Sequence, residues 1–180
     1  MLLGLILAGG ACRRWQGQNK ALIEVDGLPM IEHVESALRP SCDRMVISAN
    51  RDHDMLAAYS EHIVADDPAQ GSGPLAGVKS AIMKYPDNSW LVVAVDLPFL
   101  SANTLAELAR RRDHYLQCDG DRVLCVHLDS NTAFGMASSS TGDNRFFATL
   151  EQHGVRAWSG CADRAEVSNL NSPQDMEGIR

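Results

Sequence analysis

The sequence predicts an α/β fold: a single-domain, Rossmann-like, mostly parallel sheet with helices on both faces. Three observations predict it. Short continuous apolar runs recur along the chain, each the length of a strand covered on both faces. Segments with apolar residues at helical spacing lie between them. Finally, 180 residues without a repeat, a low-complexity tract or a Pro/Gly/Ser linker suit one domain spanning 1–180. Strands alternating with helices demand crossover connections, and these put helices on both faces of a parallel sheet.

The elements follow in order. Leu2 to Ala8 is a continuous apolar run ended by Gly9-Gly10. No basic residue opens it and it is too short to cross a bilayer, so it reads as a buried first strand rather than a secretion signal. From Pro29 to Arg39, the residues Met30, Ile31, Val34, Ala37 and Leu38 share one helical face, with Pro29 suited to the first turn. Arg44 to Ala49 is a second strand built on Met45-Val46-Ile47, and Ile63-Val64 is a short third. Pro74 to Tyr85 carries Leu75, Val78, Ile82 and Tyr85 along one helical stripe, and Pro86 forbids continuation. Trp90 to Val95 is the next strand. Leu105, Leu108 and Ala109 mark a helix after Ser101, and Arg122 to Leu128 reads as a strand. Phe146, Phe147 and Leu150 mark a helix closed by Gly154, and Ser172-Pro173-Gln174-Asp175 resembles a capping box.

Composition narrows the functional classes. With 16 basic against 23 acidic residues the net charge is −7, which argues against nucleic acid and anionic membranes as partners. A local basic pocket for a phosphorylated ligand remains compatible with that balance. The five cysteines are odd in number, scattered and free of any C-x-x-C. That argues against a disulfide framework or zinc knuckle and points to a reducing, cytoplasmic setting. The six histidines show no metal-ligand spacing. Arg110-Arg111-Arg112 falls at a helix end, where cations complement the macrodipole, with acceptor-phosphate binding as the alternative role.

In open α/β sheets ligands bind beyond the carboxyl ends of the strands, so chemistry is sought just after each apolar run. Leu7-Ala8-Gly9-Gly10 ends the first strand and leads through Ala11 to Asn19 to Lys20. Two glycines let successive N–H groups converge on a phosphate, and Arg13, Arg14 and Lys20 add positive charge. The loop is neither G-x-x-x-x-G-K-[ST] nor G-x-G-x-x-G, so the P-loop and dinucleotide-binding fingerprints are absent. Taken alone, the glycine pair serves a plain strand-to-loop turn equally well. Asp96 follows an apolar run and precedes Leu97-Pro98, which suits either a Mg²⁺ ligand or a turn aspartate. Asn50 and Asp66 end two further strands and offer hydrogen bonds to ribose hydroxyls or base edges. The glycine-rich stretch Gly71 to Gly77 opens a helix near the same edge, as an anion-binding N-terminus or as ordinary capping.

Several of these pieces occur in the order of one family: Leu7-Ala8-Gly9-Gly10, Arg13-Arg14, Lys20-Ala21-Leu22, Gly27-Leu28-Pro29-Met30, Ser48-Ala49-Asn50-Arg51, Gly73-Pro74-Leu75-Ala76-Gly77, Asp96-Leu97-Pro98-Phe99-Leu100 and Asn169-Leu170-Asn171-Ser172-Pro173. The chain resembles the molybdenum cofactor guanylyltransferases, nucleotidyltransferases of the nucleotide-diphospho-sugar transferase type. The resemblance implies transfer of GMP from GTP to a molybdenum–molybdopterin cofactor with release of pyrophosphate. It implies that Leu7, Ala8, Gly9, Lys20, Asn50, Asp66 and Asp96 bind GTP, that Asp96 carries Mg²⁺, and that Lys20 and Asp96 serve catalysis. Phosphate-loop geometry extends the set to Gly10 and Arg14. Proteins that carry or insert the finished cofactor are the implied partners. Two rivals stand beside this reading: a related transferase using CTP or a sugar phosphate, and a nucleotide-binding regulatory module without turnover. The chain departs from the family pattern at Arg14-Trp15-Gln16, where Arg-Met-Gly is usual, at Asn19, where an acidic residue is common, and at Ala94-Val95, where proline-cysteine is common. No His-Pro motif occurs around Ser130 to Met136, and Arg156 to Asn169 is short.

Overall fold

In the computed structural model, which describes residues 1–9, 15, 17–139, 145–160 and 163–177, the first apolar run forms β1 (Leu2–Leu7). A small hairpin, β2 (Glu24–Val25) and β3 (Leu28–Pro29), leads into α1 (Met30–Leu38). Then come β4 (Arg44–Ser48), α2 (His53–Leu56), β5 (Ile63–Val64), α3 (Pro74–Lys84) and β6 (Ser89–Ala94). The remainder is α4 (Ala102–Ala109), β7 (His114–Cys118), β8 (Asp121–Leu128), α5 (Ser130–Ser138), α6 (Phe146–Gln152), β9 (Arg156–Ser159) and α7 (Pro173–Glu177).

Most local signals act where they were expected, but Pro29, expected in the first turn of α1, instead ends β3 and caps the helix from extended geometry. Pro74 occupies the first turn of α3, where its missing N–H costs nothing. The Ser101 hydroxyl accepts from the Thr104 N–H at the start of α4. At α7 the Asp175 carboxylate accepts from the N–H groups of Asn171 at 2.7 Å and Ser172 at 2.8 Å, the reach-back half of a capping box.

Seven strands form one sheet in the order β5-β4-β1-β6-β8-β7-β9. β1 pairs in parallel with both β4 and β6, and β4 with β5. β8 runs antiparallel to β6, with Val93 opposite Cys125, and antiparallel to β7. Asp119-Gly120 turns the β7–β8 hairpin, both residues with positive φ (49° and 88°), as a tight turn between twisted strands requires. Strands β2, β3, β7 and β9 and helices α2 and α5 go beyond the elements expected from periodicity.

Side chains alternate across the sheet and build a core on each face. Ile6, Ile47, Leu91 and Val93 pack with α1 and α4, whereas Leu5, Leu7, Val46 and Val92 pack with α3, α5 and α6. Covered on both sides, the central strands must be apolar throughout, which is why they were legible as continuous runs. The rigid sheet in turn aligns the carboxyl ends of β1, β4 and β6 along one edge.

Candidate active site

A cleft of about 1090 Å³ opens along that edge. Leu7, Ala8, Gly9, Lys20, Asn50, Asp66 and Asp96 all line it, so the structure gathers these sequence-predicted residues around one space. Gly10 and Arg14 lie outside the described residues.

On the β4 side, Asp66 is held in a reciprocal lock. Asn50 Nδ2 donates to its Oδ2 at 2.9 Å, and the Asp66 N–H donates to Asn50 Oδ1 at 2.8 Å. Ser48 Oγ donates to the other carboxylate oxygen at 3.2 Å. Helix α3 presses directly on this lock through Gly77. A Cβ there would lie 2.5 Å from Ser48 Oγ and 3.1 Å from Asp66 Oδ1. Only glycine permits that approach, so Ser48 and Gly77 are structural parts of the site that periodicity did not single out. Both already stood within motifs of the family pattern.

At the centre, Asp96 follows β6. Lys20 Nζ donates to Asp96 Oδ2 at 2.9 Å and to Asn171 Oδ1 at 2.8 Å. Lys20 begins a 3₁₀ turn, Lys20–Leu22, capped by Asn19, whose Oδ1 accepts from the Ala21 N–H at 3.1 Å. Asn19 also donates through Nδ2 to Asp52 Oδ2 at 2.9 Å. An aspartate at position 19 would set a second carboxylate against Asp52, which explains why an amide suits this chain. Asn171 belongs to the segment before α7, tied to the sheet where the Leu170 N–H donates to the Asp96 carbonyl at 3.0 Å. Its part in the site was not expected, because the partners Lys20 and Asn171 lie 151 positions apart. The N–H of Asn171, with further donors from Ser172 and the nearby Lys20 charge, holds the Asp175 carboxyl below its ordinary range.

The second oxygen of Asp96 is the informative atom: Oδ1 is buried and has no hydrogen-bond partner among the described residues. A buried carboxylate oxygen without a donor is costly, and a cation bound there would satisfy it. Among the described residues no group of three or more His, Cys, Asp or Glu side chains could cage a metal. A cation at Asp96 would therefore complete its shell with ligand oxygens and water, the habit of magnesium beside phosphates.

On the β8 side the cleft is lined by Arg122, Leu124 and Phe147. Arg122 Nη2 lies 3.2 Å from Glu151 Oε1, which also accepts from the Tyr115 hydroxyl at 3.0 Å. The arginine triplet instead behaves as a helix end. Arg110 and Arg111 pair with Glu107, Arg112 pairs with Asp129, and Arg111 stacks 4.4 Å from the Trp158 ring centroid.

A mostly parallel sheet whose carboxyl edge sets an aspartate–lysine pair beside a long cleft defines an α/β protein of the nucleotidyltransferase class. Comparison with known proteins agrees with that class. The MobA-like NTP transferase domain matches residues 4–159. Molybdenum cofactor guanylyltransferases of Pseudomonas paraeruginosa and of Pseudomonas aeruginosa PAO1 are each 32% identical to it. The matches cover 94% and 98% of this chain and 90% and 93% of those proteins. The chain belongs to the molybdenum cofactor guanylyltransferase family, and it is a nucleotidyltransferase.

Solved structures agree on the fold. Molybdopterin-guanine dinucleotide biosynthesis protein A from Archaeoglobus fulgidus superposes with a TM-score of 0.76 at 22% identity, covering 99% of this chain and 96% of that one. A nucleotidyl transferase from Methanothermobacter gives 0.75 at 19% identity, covering 100% and 96%. Among the described residues no helix is long and apolar enough to cross a membrane.

Proposed function

We propose that this protein transfers GMP from GTP to a molybdopterin-type cofactor and releases pyrophosphate, acting in the cytoplasm as one catalytic domain. The observation that carries this reading is the Asp96 carboxylate, paired through one oxygen to Lys20, with its other oxygen buried and without a hydrogen-bond partner among the described residues.

The acceptor's phosphate oxygen attacks the α-phosphorus of GTP, and the bond from that phosphorus to the β-phosphate oxygen breaks. One phosphoanhydride is formed as another is broken, and pyrophosphate carries away the displaced charge. Asn50 and Asp66, locked to each other, orient the nucleoside through hydrogen bonds to its hydroxyls or base edge. Leu7, Ala8 and Gly9 bring backbone close to the nucleotide, and Gly10 and Arg14 bind its phosphates. Lys20 supplies positive charge to the leaving pyrophosphate, preorganised by the contacts that Asp96 and Asn171 provide. Asp96 would hold Mg²⁺, which when bound supplies Lewis-acid stabilisation of phosphate charge. The product dinucleotide would then pass to proteins that carry or insert the cofactor.

The test is ligand-induced stabilisation followed by turnover. With Mg²⁺ present, GTP should raise the melting temperature more than ATP or CTP, because stabilisation follows RT ln(1 + [L]/Kd). Adding molybdopterin should then release pyrophosphate. A larger CTP shift would support a cytidylyl donor instead, and GTP binding without pyrophosphate release would leave a regulatory module.

A further inference from the structure

Two anionic substrates must meet beside Asp96, itself anionic, in a chain of net charge −7. The donor half has its cation in Lys20. The strand order shows where a second is needed. Asp96 follows β6, with β1, β4 and β5 on one side and β8 on the other. Ser48, Asn50 and Asp66 belong to the β4–β5 side, so the nucleoside occupies that half and the acceptor must enter over β8.

Because β8 is antiparallel to β6, its first residues arrive at the edge where the parallel strands end. That reversal brings Arg122 and Leu124 into the cleft, and α6 adds Phe147 beside them. The cleft's described cations are Lys20, Arg51 and Arg122. Lys20 is engaged by Asp96 and Asn171, and Arg51 by the Gly17 carbonyl and Asp52 on the β4 side. Arg122 is thus the described cation that lines the cleft on the acceptor side.

Its surroundings position it without consuming it. Glu151 takes up one guanidinium nitrogen, and the Phe147 ring centroid lies 5.6 Å from the guanidinium carbon. Phe147 is itself set by edge-on contacts with Tyr115 at 5.2 Å and Phe146 at 5.4 Å. The Arg122 side chain is 48% exposed, so the pair with Glu151 is a surface ion pair of small stabilising value. An arginine fork held in one place with donors to spare suits a phosphate. An aromatic face beside it suits a flat ring system.

We propose that Arg122, Leu124 and Phe147 form the acceptor subsite. Arg122 binds the phosphate monoester that attacks GTP, and Phe147 with Leu124 walls the ring system attached to it. This rests on the guanylyltransferase reading and assigns its second substrate to named residues.

The experiment is steady-state transfer by the full chain with GTP, Mg²⁺ and molybdopterin, comparing wild type with Arg122→Gln, Arg122→Lys and Phe147→Leu. Losing the charged hydrogen bonds in Arg122→Gln should raise the acceptor KM roughly 10- to 100-fold. The GTP KM and the GTP-induced melting shift should stay within about twofold, since the donor site is untouched. Arg122→Lys keeps the charge and the Glu151 pair, and should recover part of the loss. Phe147→Leu should raise the acceptor KM about threefold to tenfold, the scale of a lost aromatic contact. Melting curves check that each variant is folded. An unchanged acceptor KM in the Arg122 variants would overturn the subsite alone, and loss of GTP affinity would return Arg122 to the donor. Wild type that binds GTP yet transfers nothing to molybdopterin would overturn the underlying reading, and the subsite with it.

Discussion

Replacing Gly77 by alanine probes how tightly α3 is fitted to the nucleoside side of the cleft. The added Cβ would sit 2.5 Å from Ser48 Oγ, whereas ordinary contact begins near 3.4 Å, so the two atoms must separate by roughly 0.9 Å. Either α3 lifts, or Ser48 rotates away and gives up its 3.2 Å bond to Asp66. Overpacking of this kind costs about 1–3 kcal/mol, and losing a hydrogen bond to a carboxylate adds about 1.5–3 kcal/mol. The helix-propensity gain of alanine over glycine returns about 1 kcal/mol. A net loss of about 1.5–5 kcal/mol corresponds to a melting temperature lower by roughly 3–20 °C in a chain of this size. GTP affinity should fall at least about tenfold, because 1.4 kcal/mol of lost orientation at Asp66 suffices for that. The Ser48→Ala/Gly77→Ala double variant removes the closest atom and should be more stable than Gly77→Ala alone. Thermal melts and GTP titrations of the four proteins complete a double-mutant cycle. Wild-type melting and GTP affinity in Gly77→Ala, or no coupling to position 48, would refute the close fit and its bearing on nucleotide binding.

Three further perturbations address other parts of the molecule. Asp96→Asn should cut Mg²⁺-dependent pyrophosphate release by at least about 10²-fold. Its melting temperature should shift by only a few degrees, roughly, because Lys20 keeps its bond to Asn171. Wild-type release by a stable mutant would remove the metal assignment. Lys20→Ala should lower turnover by roughly 10²–10³ without unfolding the protein. Activity within a few-fold of wild type would exclude Lys20 from the phosphate site. Burial pushes the Cys42 thiol from 9.0 up to about 12, so it stays protonated at neutral pH and ionises only as pH rises. Alkylation of Cys42 at pH 8, mapped by mass spectrometry, should therefore run about 10³-fold slower in the folded than in the unfolded chain. Equal rates would show that the partial burial of Cys42 does not hold its thiol protonated.

What the sequence by itself determined was the buried frame and the residues at its ends. β1, β4 and β6 read as strands because both faces are covered, which leaves no polar position to interrupt the run. Gly9, Asn50, Asp66 and Asp96 became candidates because open parallel sheets present their strand ends to ligands, and all four line the cleft. Edge structure was less legible. β9 is mostly exposed, and β7 mixes buried Tyr115 with half-buried His114 and Gln117, so neither shows a clean apolar run. α5 buries mainly Ala133, Met136 and Ala137, a face too small to stand out by period. The tertiary structure alone decided the antiparallel entry of β8, which brings Arg122 to the cleft. It alone closed Lys20 onto Asn171 and seated Gly77 against Ser48. Local patterns record the environment of each residue, but strand order and helix docking are settled by which distant surfaces bury together, and no short stretch of sequence carries that information.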